Sequence, residues 1–153
     1  MSKSLSRSLG PFVLGMTTKE FKKVTGIEPE YCPRCDDNEE YADIDDARVA
    51  KLLGSKGNKA GMDAFFFKGR LYNFGFMFEK QNNLVTIKKM QQQYGPPIKE
   101  SDGSYQWRDK KTKILIHHIS KDQKKFIINY YDLPLMEMHD QQEEGHSTNP
   151  GAH

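Results

Sequence analysis

The chain has 153 residues, of which 36% are apolar and 11% aromatic. A chain of this length forms about one domain and can bury roughly two-thirds of its unfolded surface, so the composition excludes an intrinsically disordered protein. No stretch approaches the run of about 20 apolar residues that a membrane-spanning helix requires.

The net charge of +2 conceals a segregation of charge along the chain. Residues 28–46 carry about −8 and the tail from Leu135 about −4, whereas residues 1–27 carry about +4 and residues 47–134 about +10. This pattern fits either a well-solvated surface or a basic patch for an acidic partner, screened by the acidic segments.

The first predicted element is a helix that begins after Thr17. Thr17 and Glu20 have the spacing of a capping box, in which each side chain accepts from the backbone N–H of the other. Met16 and Phe21 can form a hydrophobic staple, and Gly26 is placed to end the helix in a left-handed conformation.

An exposed acidic loop is predicted next, at 28–46, because this segment holds two prolines and nine of the 21 acids. Asp45 or Asp46 can then cap a second short helix through Leu53. Residues 54–61 contain three glycines and predict another loop.

Alternating aromatic residues predict a β-hairpin, from Ala64 to Phe67 and from Leu71 to Phe78, with a turn at Lys68-Gly69. In its second strand every other residue is expected to face the core, and these residues are Tyr72, Phe74, Phe76 and Phe78.

A third helix is predicted from its cap at Asn83 to a stop at Gly95, where two prolines prevent continuation. Three short strands follow, at Tyr105 to Arg108, Lys113 to Ile119 and Lys125 to Tyr131. Their links are short and polar, which predicts an antiparallel meander.

Together these elements predict an α+β fold. Its antiparallel sheet would have about five strands, a hairpin plus the three-stranded meander, with two or three helices packed on one face. Residues 1–134 would form a single domain with the acidic, cysteine-containing loop at 28–46, and residues 135–153 a disordered acidic tail. The order of helix and then antiparallel strands occurs twice, which hints at an internal duplication.

Cys32-Pro33-Arg34-Cys35 is the motif with the most chemical content. A redox dithiol needs its first cysteine at a helix start after a buried strand, and this context is absent. A zinc site needs two more ligands, which would come from His117, His118, His139 or His146. The third interpretation is a local disulfide in an oxidising compartment, or two idle thiols in a reducing one.

Calcium binding by the acidic loop is disfavoured. Asp36, Asn38 and Glu40 alternate as ligands can, but Tyr41 and Ala47 stand where an EF-hand needs Gly and Glu. No other cofactor is indicated.

Catalysis has no recognisable motif in this sequence: there is no nucleophile elbow, H-E-x-x-H or P-loop. His117 on an Ile-flanked strand is more simply a sheet residue than a base, and Asp109 near Trp107 more simply a turn former than an acid. The sequence therefore predicts a protein that is not an enzyme.

A basic surface is predicted around the two links of the meander, if the sheet brings them together. Its lysines are Lys110, Lys111, Lys113, Lys121, Lys124 and Lys125. Aromatic residues between them could stack nucleic-acid bases, namely Tyr105, Trp107, Tyr130 and Tyr131. A small basic nucleic-acid-binding domain, with or without a structural zinc at the two cysteines, is the alternative function.

The segment Leu14-Gly15-Met16-Thr17-Thr18-Lys19-Glu20-Phe21 resembles the G-M-T entry of small bacterial envelope lipoproteins, the SmpA/OmlA or BamE-like family. Further similarity, spanning residues 9–132, lies in Phe67-Lys68-Gly69-Arg70-Leu71-Tyr72, Tyr94-Gly95-Pro96-Pro97, Trp107 with Asp109, and Ile114 with Ile116. The chain departs from the family in having no lipobox cysteine and in its acidic cysteine loop. The resemblance implies a fold like that of the β-lactamase inhibitor protein, used for protein binding.

We therefore expect a non-catalytic protein-interaction module that uses the sheet and its edges as its binding surface. The resemblance implies the bacterial cell envelope if a leader has been removed, and the cytoplasm is the alternative. Another protein is the expected partner, nucleic acid the alternative one, and the sequence does not indicate an oligomeric state.

Overall fold

The computed structural model describes residues 4–33, 35, 39–53, 60–79, 83–118 and 125–147. Within these residues the chain has ten strands and four helices. The strands are β1 (Ser8–Leu9), β2 (Phe12–Val13), β3 (Glu30–Tyr31), β4 (Glu39–Ile44), β5 (Ala60–Phe67), β6 (Arg70–Glu79), β7 (Ile98–Lys99), β8 (Tyr105–Arg108), β9 (Thr112–His118) and β10 (Lys125–Asp132). The helices are α1 (Thr18–Thr25), α2 (Asp46–Leu53), α3 (Asn83–Tyr94) and α4 (Leu133–Ser147). None of these helices is both long and apolar enough to cross a membrane.

One antiparallel sheet contains eight of the strands, in the order β3-β4-β5-β6-β10-β9-β8-β7, and β1 pairs with β2 in a separate small sheet. The large sheet consists of two meanders, each made of four consecutive strands. They meet through their last strands, because β6 pairs antiparallel with β10. A helix precedes each meander, α1 before β3 and α3 before β7. The repeated order of elements in the sequence corresponds to these two halves.

The predicted fold class, with about five strands and two or three helices on one face, is wrong. The structure is rich in strand, and its large sheet alone has eight strands. Four of the unpredicted strands, β1, β2, β3 and β7, have two residues each, too few for an alternating pattern to be recognised. The fifth, β4, lies inside the segment predicted as an acidic loop. Its pairing with β5 outweighs the low strand propensity of its acids.

The core lies on one face of the large sheet, which we call the core face. Phe21 of α1, Val49 of α2 and Ile87 of α3 belong to the same buried cluster as Phe74 and Phe76 of β6. These three helices therefore cover the same side of the sheet, and their apolar contacts supply most of the driving force for folding.

A bulge in β6 changes the predicted aromatic stripe. β5 and β6 pair Phe65 with Asn73 and Phe66 with Leu71, so the register skips Tyr72. Leu71 and Phe66 lie in the core, whereas Tyr72 contacts Phe67 on the other side of the sheet. Phe74 and Phe76 are buried as predicted, and the side chain of Phe78 lies outside the described residues.

The signals that begin the first two helices are confirmed. The Thr17 Oγ1 accepts a hydrogen bond from the Glu20 N–H at 3.1 Å, the Glu20 carboxylate accepts one from the Thr17 N–H at 3.2 Å, and Gly26 has a φ of 74°. Asp45 Oδ1 accepts from the backbone N–H of Arg48 at 2.9 Å and so caps α2.

The fourth helix, α4, follows β10 directly. Asp132 Oδ1 accepts a hydrogen bond from the Leu135 N–H at 2.9 Å and caps the helix, and Asp132 also forms an ion pair with Arg7. The sequence predicted a disordered tail from residue 135, but residues 133–147 are helical. The helix lacks an apolar stripe, and His139 near its middle contacts Phe67 and Tyr72 of the sheet. The domain boundary at residue 134 stays a prediction.

Candidate docking surface on the open face of the sheet

The second face of the large sheet, which we call the open face, carries the residues that alternate with those of the core. The cross-strand register places on it Asp43, Asp63, Phe65, Met77, Gln106, Leu115, His117, Ile127 and Asn129. Asp43, Asp63 and Met77 are exposed, the last at 38% of its surface. This exposure shows that the central part of the face is accessible to solvent.

At one end of the open face, α4 is anchored by a buried polar and aromatic cluster. His139 Nε2 is paired with Glu39 Oε1, and the His139 ring stacks on Tyr72 and meets Phe67 edge-on, with ring centroids 5.3 and 5.4 Å apart. The Tyr72 hydroxyl donates to Glu39 Oε2 at 3.3 Å. Glu39 is only 3% exposed, so its carboxylate needs these two partners. The cluster holds α4 against this end of the open face.

Two carboxylates oppose each other on the accessible part of the open face. Asp43 of β4 and Asp63 of β5 are direct cross-strand partners. A hydrogen bond with Asp43, then burial and the charge of Asp43, raise the pKa of Asp63 to about 6. Because the two carboxylates lie side by side, the pair binds its first proton at a higher pH than an isolated aspartate does.

A third oxygen extends this row toward the centre of the sheet. Gly75 of β6 is the partner of Asp63 on one side and of Asn129 on the other. A Cβ atom at Gly75 would overlap the Asn129 Oδ1, so the Asn129 side chain lies across the glycine. We call Asp43, Asp63 and Asn129 the oxygen row.

Apolar side chains flank the oxygen row. Met77 pairs with the half-buried Ile127, and the half-buried Leu115 pairs with Asn129. At the edge of the sheet Ile98 is 58% exposed. This mixture of accessible apolar and polar groups matches the average composition of a non-obligate protein interface.

Among the described residues, the predicted lysines lie at the two opposite ends of β9. Lys110 and Lys111 lie in the turn between β8 and β9, and Lys113 lies beside that turn, opposite Arg108. Lys125 begins β10 at the other end of β9, about 20 Å away along the strand, and its side chain is not described. Lys121 and Lys124 lie outside the described residues.

The aromatic residues predicted to stack bases are partly used by the core. The Trp107 side chain is buried and donates its Nε1–H to the Gly95 carbonyl at 3.0 Å. Tyr130 is buried and stacks on Phe74 at 4.8 Å, and this burial raises the pKa of its hydroxyl. Tyr105 and Tyr131 are half-buried, and a lysine Nζ lies over each ring.

A cleft of about 740 Å³ separates the β8–β9 hairpin from α4. Arg108, Lys110 and Lys113 line it on the hairpin side, and Glu137 and Asp140 line it on the helix side. Charges of both signs face this cleft, so it is not a purely basic groove.

Cys32 and Cys35 are joined by a disulfide directly after β3, with their Cα atoms 5.3 Å apart. The Cys35 N–H donates to the Cys32 carbonyl at 3.2 Å, which closes a tight turn. In this oxidised state the two sulfurs are not thiolates that could bind zinc. Among the residues that the structure describes, no group of three or more His, Cys, Asp or Glu side chains is arranged to hold a metal ion.

The other residues singled out in the sequence have ordinary positions. His117 lies on the open face of β9, and Asp109 organises the β8–β9 turn by accepting from the N–H groups of Lys111 and Thr112. Glu40 belongs to β4, whereas Asp36 and Asn38 lie outside the described residues, as do the side chains of His118 and His146.

Sequence reasoning missed both groups of polar residues on this face, the oxygen row and the Glu39–His139 pair. Asp43 and Asp63 are separated by α2 and residues 54–59, so only the strand register shows that they are neighbours. One signal was present in the sequence. Each aspartate lies two residues from an aromatic residue, Tyr41 or Phe65, which is the spacing of residues on the same face of a strand.

Comparison with family models, with curated proteins and with solved structures found no match to this chain. The resemblance to the SmpA/OmlA or BamE-like lipoproteins therefore stays a prediction from the sequence motifs.

Proposed function

We propose that this protein is a non-catalytic docking module that binds another protein through the open face of its large sheet. The observation that carries the proposal is the different use of the two faces. Three helices bury the core face, while the open face leaves Met77, Asp43 and Asp63 accessible. An accessible face of mixed apolar and polar character suits a protein partner.

Preorganisation supports the same function. The open face spans both four-stranded halves of the sheet, which are joined by seven cross-strand pairs between β6 and β10. A face built on paired strands changes shape little on binding, so the partner does not have to order it first.

The disulfide supports a location in an oxidising compartment. Bonds between cysteines persist in secreted or envelope proteins and are rare in the reducing cytosol. The Cys32–Cys35 bond therefore agrees with the bacterial envelope that the family resemblance implies.

The nucleic-acid alternative has less support. Lys110 and Lys111 are separated from Lys125 by the length of β9, and Trp107 and Tyr130 are buried in the core. A nucleic-acid surface would need contiguous cations and accessible rings.

Site-specific photocrosslinking in cells of the source organism tests the proposal. A benzophenone amino acid replaces Met77 on the open face or, as the matched control, Val24 on α1, which is 37% exposed. We expect a discrete protein adduct from position 77 and none from position 24. Adducts from position 24 alone, or from neither position, would contradict the proposal.

A further inference from the structure

We propose that Glu39, Phe67 and Tyr72 form a pocket for a histidine side chain of the protein partner, and that His139 of α4 occupies this pocket as an intramolecular competitor. The inference rests on the proposed docking function. It specifies which side chain the open face recognises and how access to that face is limited. When the partner binds, α4 leaves this end of the sheet.

The occupant that the structure shows defines the chemistry of the pocket. Glu39 and Phe67 are direct cross-strand partners on the open face, and Tyr72 lies beside Phe67 at the β6 bulge. The His139 ring stacks on the Tyr72 ring at an interplanar angle of 21° and meets the Phe67 ring at 84°. Its Nε2 is paired with Glu39 Oε1. A flat ring with a nitrogen at its tip therefore fits the pocket.

α4 covers one end of a surface that continues beyond it. Three cross-strand pairs of β4 and β5 face this side of the sheet, and their exposure increases away from α4: Glu39–Phe67 is buried, Tyr41–Phe65 half-buried and Asp43–Asp63 exposed. The buried pair is the one that His139 contacts. The helix thus withholds aromatic area from the docking face, and aromatic residues are enriched at the cores of protein interfaces.

The attachment of α4 is local, so the helix can open at its far end. Its start is held separately from the pocket, because the Leu133 N–H donates to the Lys111 carbonyl at 2.9 Å and Asp132 caps the first turn. Beyond that turn, Glu137 and Asp140 border the cleft of about 740 Å³ that separates α4 from the β8–β9 hairpin. The helix also lacks the apolar stripe by which a surface helix normally packs. A fixed start and a local anchor at His139 make α4 a strap over the pocket.

The buried carboxylate determines what can replace His139. A buried charge that loses its partner is strongly destabilising, and the Tyr72 hydroxyl donates only to the other oxygen, Glu39 Oε2, at 3.3 Å. A partner that displaces α4 must therefore bring a donor for Glu39 Oε1 and a flat surface for two aromatic rings. A histidine side chain supplies both, whereas an ammonium group supplies the donor without the ring.

The first test empties the pocket and offers it a free side chain. His139→Ala in the full chain removes the occupant, and the probe is 4-methylimidazole, which is the side chain of histidine. Methylammonium is the control probe because it donates hydrogen bonds but cannot stack, and methylguanidinium represents arginine. Met138→Ala is the matched variant, since it truncates an exposed neighbour on α4. Amide chemical shifts of the isotopically labelled protein are followed during each titration.

We expect 4-methylimidazole to shift the amides of residues 39, 67 and 72 in His139→Ala. Its affinity there should be about tenfold higher than in Met138→Ala or the wild-type chain, where α4 fills the pocket in about nine-tenths of the molecules. His139→Gln is a second emptied variant, whose amide can still donate to Glu39 and so preserve the fold. No saturable shift at these residues in either emptied variant, or binding of methylammonium or methylguanidinium as tight as that of 4-methylimidazole, would overturn the inference.

The second test asks whether α4 competes with the protein partner. Photocrosslinking from position 77 is repeated in His139→Ala and in Met138→Ala. A strap that is open in about one-tenth of the molecules lowers the apparent affinity about tenfold, so His139→Ala should form the adduct at about tenfold lower abundance of the protein, and Met138→Ala should not. Equal adduct formation in the wild-type chain and His139→Ala would overturn the inference and leave docking supported. Absence of the adduct from all three would remove the docking function itself.

Discussion

The two four-stranded halves of the sheet share one topology but differ in the chemistry of their open face. The half formed by β3 to β6 presents Glu30, Asp43 and Asp63, whereas the half formed by β7 to β10 presents Lys113 and His117. On the core face both halves contribute apolar residues to one buried cluster. The apolar face thus determines how the strands assemble, and the other face is free to be specialised, acidic on one half and basic on the other.

The largest effect is expected from a substitution on the core face, where both halves contribute to the same buried cluster. Phe76 is fully buried at the centre of the sheet, between Met62 and Ile128. Phe76→Ala should lower the free energy of unfolding by about 4 kcal/mol, because it removes apolar contacts and leaves a cavity. Met77→Ala, the next residue but on the open face, should cost less than about 1 kcal/mol in the same urea titration. Equal losses would contradict the assignment of the two faces.

A smaller loss is expected where α4 meets the acidic half. His139→Ala leaves the buried Glu39 carboxylate without its imidazole partner, which should cost about 3 kcal/mol. Urea unfolding measures this loss, and limited proteolysis should cut within α4 at lower protease concentration. Asp140→Asn changes an exposed neighbour and should alter stability by less than about 0.5 kcal/mol. If the two variants behaved alike, the cluster would not anchor the helix.

The disulfide belongs to the acidic half alone and closes only a short loop, so its removal should destabilise the protein modestly. Replacing both Cys32 and Cys35 with serine should lower the free energy of unfolding by about 2 kcal/mol, the chain-entropy value for a very short loop. Dithiothreitol should destabilise the wild-type protein by the same amount and leave the double variant unaffected. A reductant effect on the double variant would point to another cause.

The smallest effect comes from the carboxylate pair and has a defined pH dependence. The pKa of Asp63 lies above its ordinary value in the folded chain, so the stabilisation linked to its proton is full below about pH 4 and is lost as the pH rises through about 6. At neutral pH the proton is lost and the Asp43 and Asp63 carboxylates repel each other. Asp63→Asn removes this repulsion and should stabilise the protein by about 0.5 kcal/mol.

Thermal unfolding across the pH range checks the sign of this effect. The gain from Asp63→Asn should vanish at about pH 4, where the pair of the wild-type protein already holds its proton. Glu137→Gln, on the exposed surface of α4, should show no such trend. A gain from Asp63→Asn that was the same at both ends of the range would show that Asp43 and Asp63 do not interact.

Local signals in the sequence were enough for some elements and not for others. The capping box at Thr17 and the strand at Tyr105–Arg108 depend on neighbours in the chain, and both are present as predicted. β4 could not be recognised, because its partner β5 follows only after α2 and residues 54–59, and half of its residues are acidic. Tyr72 could not be assigned to a face without the bulge.

The candidate site was harder to predict than the fold for the same physical reason. The pairings of Asp43 with Asp63 and of Gly75 with Asn129 each join residues distant in sequence, and a shift by one residue would turn every side chain to the other face. The sequence did indicate an antiparallel sheet and a pair of cysteines that could form a disulfide. It could not show which of the two faces the helices leave open.

Mapping the bound partner onto the two faces tests the central claim most directly. Once the protein crosslinked at position 77 is identified, its binding to the full chain can be followed by amide hydrogen exchange. The account predicts added protection in the strands of the open face, β4, β5, β6 and β10, with α1, α2 and α3 unchanged. Added protection in α1 and α3, with the strands unchanged, would contradict it.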